Sequence, residues 1–102
     1  MICYDNITIT LEAMEIILDD ILLSGINVIG EGTIKEIEKL TIKCRDIGLK
    51  EGSEMLLKLG GSLHKKRHTI NFDSDEIIKD LLVLGTYVSA IKDKIKSLSI
   101  GQ

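Results

Sequence analysis

Apolar positions recur at steps of three and four from Ile34 to Leu63, with one interruption. Ile34, Ile37, Leu40, Cys44 and Ile47 mark one helical face, Gly48 stops it, and Leu56, Leu59 and Leu63 resume the spacing. The pattern predicts a helix hairpin, which the remaining helices cover. Upstream, Leu11, Met14, Leu18 and Ile21 form a shorter stripe, with Thr10 as its expected N-cap and Glu12 in the first turn, where the helix dipole favours a negative charge. That helix is expected to end at Ser24 in a Schellman stop, with Gly25 in the left-handed position and Ile26 folding back on Ile21. Residues 1–10 read as an arm. Ile7 to Thr10 alternates like an extended segment, but no second alternating segment is present to pair with it in a sheet.

The second helix is expected to start at a capping box: the Thr33 hydroxyl accepts from the amide of Glu36, and the Glu36 carboxylate accepts from that of Thr33. It runs to Ile47, where Gly48 and Leu49 repeat the earlier stop with Cys44 as the contact of Leu49. The third helix carries Gly52, Gly60 and Gly61, each disfavoured by about 1 kcal/mol relative to Ala in a helix interior. Either it runs continuously, close to a neighbour, or it breaks at Gly60 and Gly61; Leu63 keeps the phase of Leu56 and Leu59, which favours the continuous helix. Its end is the cationic run His64, Lys65, Lys66, Arg67, His68.

The fourth helix has Asp73 as N-cap, Glu76 at the third position and Phe72 with Ile77 as a hydrophobic staple. Its stripe is Ile77, Leu81, Leu84, Val88, Ile91, Ile95 and Leu98, and a second row, Ile78, Leu82 and Gly85, widens it toward a bundle-packed helix. Residues 97–102 are expected to fray. The fold expected is all-α, a four-helix antiparallel bundle-like array built on a central helix hairpin, in one domain spanning 1–102.

Composition narrows what such an object does. With 102 residues, 44% hydrophobic and 28% charged, the chain has the balance of a globule with one core. Aromatics are 3%, so that core is aliphatic, and stacking surfaces for bases or sugars are poorly supplied. A net charge of −3 argues against nucleic acid as a partner, since phosphate binding draws on a clustered cationic face. Cys3 and Cys44 have no metal spacing and no leader is evident, so a cytoplasmic protein with reduced thiols is expected. The apolar stretch Ile16 to Leu23 is interrupted by Asp19 and Asp20, and no membrane span is expected.

Each candidate chemistry stands beside a plainer reading. His64 and His68, four apart, share a helical face and suit a metal, but no Glu lies between them and no third ligand is evident. With Arg67 they also suit an anion, or a phosphoacceptor in a histidine phosphotransfer bundle; the glycine that follows the reactive histidine in such carriers is missing here. The plainer reading is a solvated cationic helix end. Glu12, Glu15 and Asp19 lie on one side of the first helix and form either an acidic docking strip or a solvated face. A di-iron site needs a Glu three residues before each histidine, which is absent, and Ser53, Ser62 and Ser74 have no nucleophile-elbow setting. Cys44, inside an apolar stripe, reads as core. No catalytic constellation and no cofactor site are expected.

The succession LLSGI, TIKEIEKL, CRDIGLKEGSEMLLKLGGSLHKKRH and LLVLGTYVSAIK, from Leu11 to Lys92, resembles a helical region of bacterial proteins of the SWIM zinc-finger group. The Cys-x-Cys and Cys-x-His zinc ligands of a SWIM finger are absent. The resemblance therefore implies an accessory helical module beside a SWIM-type protein, with no zinc or DNA function carried by these residues. The function expected is a non-enzymatic interaction module for a protein partner or for self-association, through an apolar groove or the acidic strip. A self-association surface would show as an exposed apolar row on the fourth helix or on the glycine-rich side of the third. The alternatives are phosphotransfer through His64 or His68 and metal-dependent regulation.

Overall fold

The computed structural model describes residues 4–68 and 74–100. Four α-helices run through them: α1 (Tyr4–Ser24), α2 (Glu31–Asp46), α3 (Lys50–His68) and α4 (Ser74–Ile100), with a 3-10 turn at Ile26–Val28 between the first two. No strand occurs among the described residues. α1 packs on α2 and α4, and α3 packs on the same two, so the helices follow one another around a bundle. The molecule measures 52 × 21 × 18 Å.

The stripes read from the sequence form the core. Leu11, Met14, Leu18 and Ile21 of α1 meet Ile34, Ile37, Leu40 and Cys44 of α2, Leu56, Leu59 and Leu63 of α3, and Ile77, Leu81, Leu84 and Val88 of α4. Such burial is the main favourable term in folding, about 1.5–3 kcal/mol for each large aliphatic side chain. Thr41 and Ser53 lock the hairpin within this apolar setting: the Ser53 hydroxyl donates to the Thr41 carbonyl at 3.0 Å, and the Thr41 hydroxyl donates to the Ile37 carbonyl at 2.8 Å.

The turn between α2 and α3 is the stop expected at Gly48. Leu49 N–H donates to the Cys44 carbonyl at 2.8 Å and Gly48 N–H to the Arg45 carbonyl at 3.3 Å, the paired bonds of a Schellman motif, with Gly48 at φ 90°. The stop at Gly25 is simpler than expected: φ is 89° and its N–H donates to the Ile21 carbonyl at 2.9 Å, after which the chain enters the 3-10 turn. α3 is continuous through its glycines. A Cβ on Gly60 would lie 3.3 Å from Ile37 Cγ2, and one on Gly52 would lie 2.9 Å from Tyr87 Cε2, so these two glycines set how closely α3 approaches α2 and α4.

Three local expectations are corrected. α1 begins at Tyr4, so most of the expected arm is helix, and Thr10 is no cap: its hydroxyl donates to the Asn6 carbonyl at 2.8 Å inside the helix. Ile7 continues the stripe of Leu11 and Met14 and is buried, and the C-terminal part of α4 runs alongside, Thr8 and Ile95 lining one groove. At about 1.5 Å per residue the 27 residues of α4 reach about 40 Å, long enough to cover that extension. α2 begins at Glu31 with Gly30 as N-cap and no side-chain cap, so the Thr33–Glu36 box is not formed; Glu36 instead faces Lys39 at 3.5 Å. α4 remains helical to Ile100, through most of the tail expected to fray. The expected cap at Asp73 and the Phe72 staple lie outside the described residues.

Candidate functional site

A helix with two neighbours buries the arc between them and leaves the opposite arc open. On α4 the inward residues are Ile77, Leu81, Leu84 and Val88. At about 100° per residue, the apolar run Leu81, Leu82, Val83, Leu84 spans most of a turn, so part of it faces away from α1 and α3. Leu82 is 66% exposed, Val83 53% and Ile78 45%. The second row, expected to widen the core stripe, is thus left uncovered at Ile78 and Leu82.

Leu82 and Thr86 form a ridge with a groove on either side. On the α1 side an open groove of about 490 Å³ is lined by Leu18, Leu22, Gly85 and Ser89, with Glu15 and Asp19 on its rim. On the α3 side a shallower one of about 410 Å³ is lined by Met55, Val83, Tyr87 and Ala90. Tyr87 lies over Gly52, and burial pushes its hydroxyl above the ordinary tyrosine value.

Ion pairs hold α4 at both flanks. Lys92 donates to Glu15 Oε1 at 2.6 Å, and this hydrogen bond raises the lysine above its ordinary value. On the other side Lys58 Nζ lies 3.2 Å from Asp80 Oδ1, and the Ser62 hydroxyl donates to Asp80 Oδ2 at 3.4 Å. Both sets of contacts leave the outer ridge clear.

The expected acidic strip is not a separate surface. Glu12 and Asp19 are exposed, whereas Glu15 is half-buried and bound to Lys92, so Glu15 and Asp19 become the rim of the apolar groove. His64 and His68 are exposed on the last turns of α3, with ring centroids 4.6 Å apart and ring planes at 58°. Arg67 Nη1 lies 3.9 Å from Glu31 Oε1 at the start of α2, and Arg67 and Lys66 border an open pocket of about 390 Å³ with Ile26, Ile29 and Leu63. Among the described residues no three His, Cys, Asp or Glu side chains come together as metal ligands. Cys44 is wholly buried, its Sγ 3.7 Å from Met14 Sδ, and burial pushes its thiol from 9.0 to about 11.

On the glycine-rich side of α3, the other place expected for a self-association row, Ile37 covers Gly60 and Tyr87 covers Gly52, while Gly61 is open and presents no apolar side chain. Leu22, Met55, Val83, Thr86 and Tyr87 were not singled out by periodicity. The available signal for Val83 was the unbroken LLVL run, which no single-sided helix can bury whole. No helix among the described residues is long and apolar enough to cross a membrane. No family model, no curated protein and no solved structure matches this chain.

Proposed function

We propose that the chain is a non-enzymatic interaction module that receives a helix of a protein partner along the outer face of α4. The observation that carries this reading is the Leu82–Thr86 ridge, with an apolar groove on each side and a polar rim. Contiguous apolar patches rimmed by polar residues mark association surfaces, and a helix lying along a groove is a recurrent way to cover one. Covering Leu82, Val83 and Leu22, all more than half exposed, supplies the gain. The reading assigns no catalytic residue, cofactor or nucleic acid: the cations of His64 to His68 sit at one helix end rather than across a face, and the net charge is −3.

A photo-reactive residue placed at position 82, and separately at position 42, tests this in host extract. Ile42 is 56% exposed on α2 and serves as the control. A discrete adduct from position 82 that is absent from position 42 is expected. No adduct, or equal labelling from both positions, would overturn the reading.

A further inference from the structure

We infer that the helix docking on α4 is α4 of a second copy of this chain, antiparallel to the first, about a two-fold axis beside Thr86. The inference rests on the α4 face being the docking surface and adds the identity of its occupant. Lys79, Thr86 and Asp93 are spaced by seven residues, which places them on one line of the helix surface, about 20° of drift per heptad aside. All three are exposed, and no ion pair joins Lys79 or Asp93 to another described residue. The two charges lie about 10 Å on either side of Thr86 at 1.5 Å per residue.

A two-fold axis beside Thr86 therefore sets each Lys79 against Asp93 of the other copy. Parallel pairing would oppose Lys79 to Lys79 and Asp93 to Asp93, so the charge pattern selects the antiparallel arrangement. Side-chain size points the same way. The large exposed residues Leu82 and Val83 precede Thr86, and the small exposed residues Ser89 and Ala90 follow it. In the antiparallel pair large meets small on both sides of the axis, as a self-complementary isologous contact requires. Gly85 beside the axis presents no side chain to hold the helices apart.

A contact of one helix against one helix is small, so the pair is expected to be reversible, with a dissociation constant on the order of micromolar or weaker. Sedimentation velocity of the full chain from about 10 µM to about 1 mM covers this range. Wild type is expected to shift from monomer to dimer. Lys79→Asp and Asp93→Lys, both at exposed positions, are each expected to weaken self-association at least tenfold, with helicity and melting of each variant's monomer measured alongside. Mixed in equal amounts, the two variants are expected to dimerise with each other, because every charge across that seam is again opposite; the double variant is expected to recover self-association.

A wild type that stays monomeric overturns the inference, and so does a dimer indifferent to both variants or a mixture that fails to associate. The underlying reading fails separately. A monomeric wild type that still gives the discrete position-82 adduct, with another protein, removes the two-fold pairing and keeps the docking face; loss of the adduct removes both.

Discussion

Gly60 and Gly61 are neighbours in sequence, yet replacing each by Ala should move stability in opposite directions. About 100° of helix separates their outward directions. A Cβ on Gly61 meets no described atom within 4 Å, so Gly61→Ala gains the full helix-propensity difference, about 1 kcal/mol. A Cβ on Gly60 lies 3.3 Å from Ile37 Cγ2. Ile37 is wholly buried between helices and can yield only by pushing α2 from α3 or leaving its rotamer, which in packed cores costs about 1–3 kcal/mol. The propensity gain is offset, and Gly60→Ala should be neutral or destabilising by up to about 2 kcal/mol.

Urea unfolding followed by circular dichroism reads both effects, because the chain has no Trp. With an m-value of about 1.5 kcal/mol/M, Gly61→Ala should raise the midpoint by about 0.7 M at unchanged m, and Gly60→Ala should leave it or lower it. Equal stabilisation by both variants would refute the close α2–α3 contact at Ile37. Destabilisation by Gly61→Ala would refute the open surface at that turn.

Three further outcomes follow from the same structure. Between pH 9 and 11 an unfolded chain ionises Cys44 while the native chain holds its proton, so the unfolded state binds fewer protons and stability falls as pH rises. The loss should reach about 2–3 kcal/mol once both forms are ionised, and urea midpoints of Cys44→Ala should fall less steeply than those of wild type over that range. Asp80 is 8% exposed and bonded to Ser62 and Lys58, so Asp80→Ala should cost about 1 kcal/mol in thermal melts, and less in 1 M salt, which screens the exposed Lys58. Leu59→Ala should cost about 2–5 kcal/mol by leaving a core cavity, whereas Leu82→Glu should change monomer stability by less than about 0.5 kcal/mol; comparable losses would place Leu82 in the core.

Features that depend on a few consecutive residues were legible in the sequence. The Gly48 stop needs one positive φ and two backbone bonds, and it forms where the glycine ends the α2 stripe. The continuity of α3 was legible from the phase of Leu63, because a buried leucine stripe outweighs the intrinsic disfavour of three glycines. Ile7 to Thr10 was misread because an Ile-Thr alternation fits either a strand or a helix stripe, and the outcome is decided elsewhere, by the length of α4 beside it. The Thr33–Glu36 box is a local signal as well, but the 3-10 turn at Ile26–Val28 delivers the chain into α2 with Gly30 as N-cap, three residues before the Thr33 cap.

The α4 row shows a different limit. Ile78, Leu82 and Gly85 are in helical phase whether they widen a core stripe or form an outer face, since periodicity reports which residues share a side and not what lies opposite. The number of neighbours decides. α4 touches α1 and α3, whose cover ends at Ile77, Leu81, Leu84 and Val88, and a row one step around the helix falls outside it. A fifth helix would turn Leu82 and Val83 into core residues without any change of sequence. Under the proposed pairing, Lys79 and Asp93, carrying opposite charges at equal distances from Thr86, would make α4 of a second copy the fitting fifth helix.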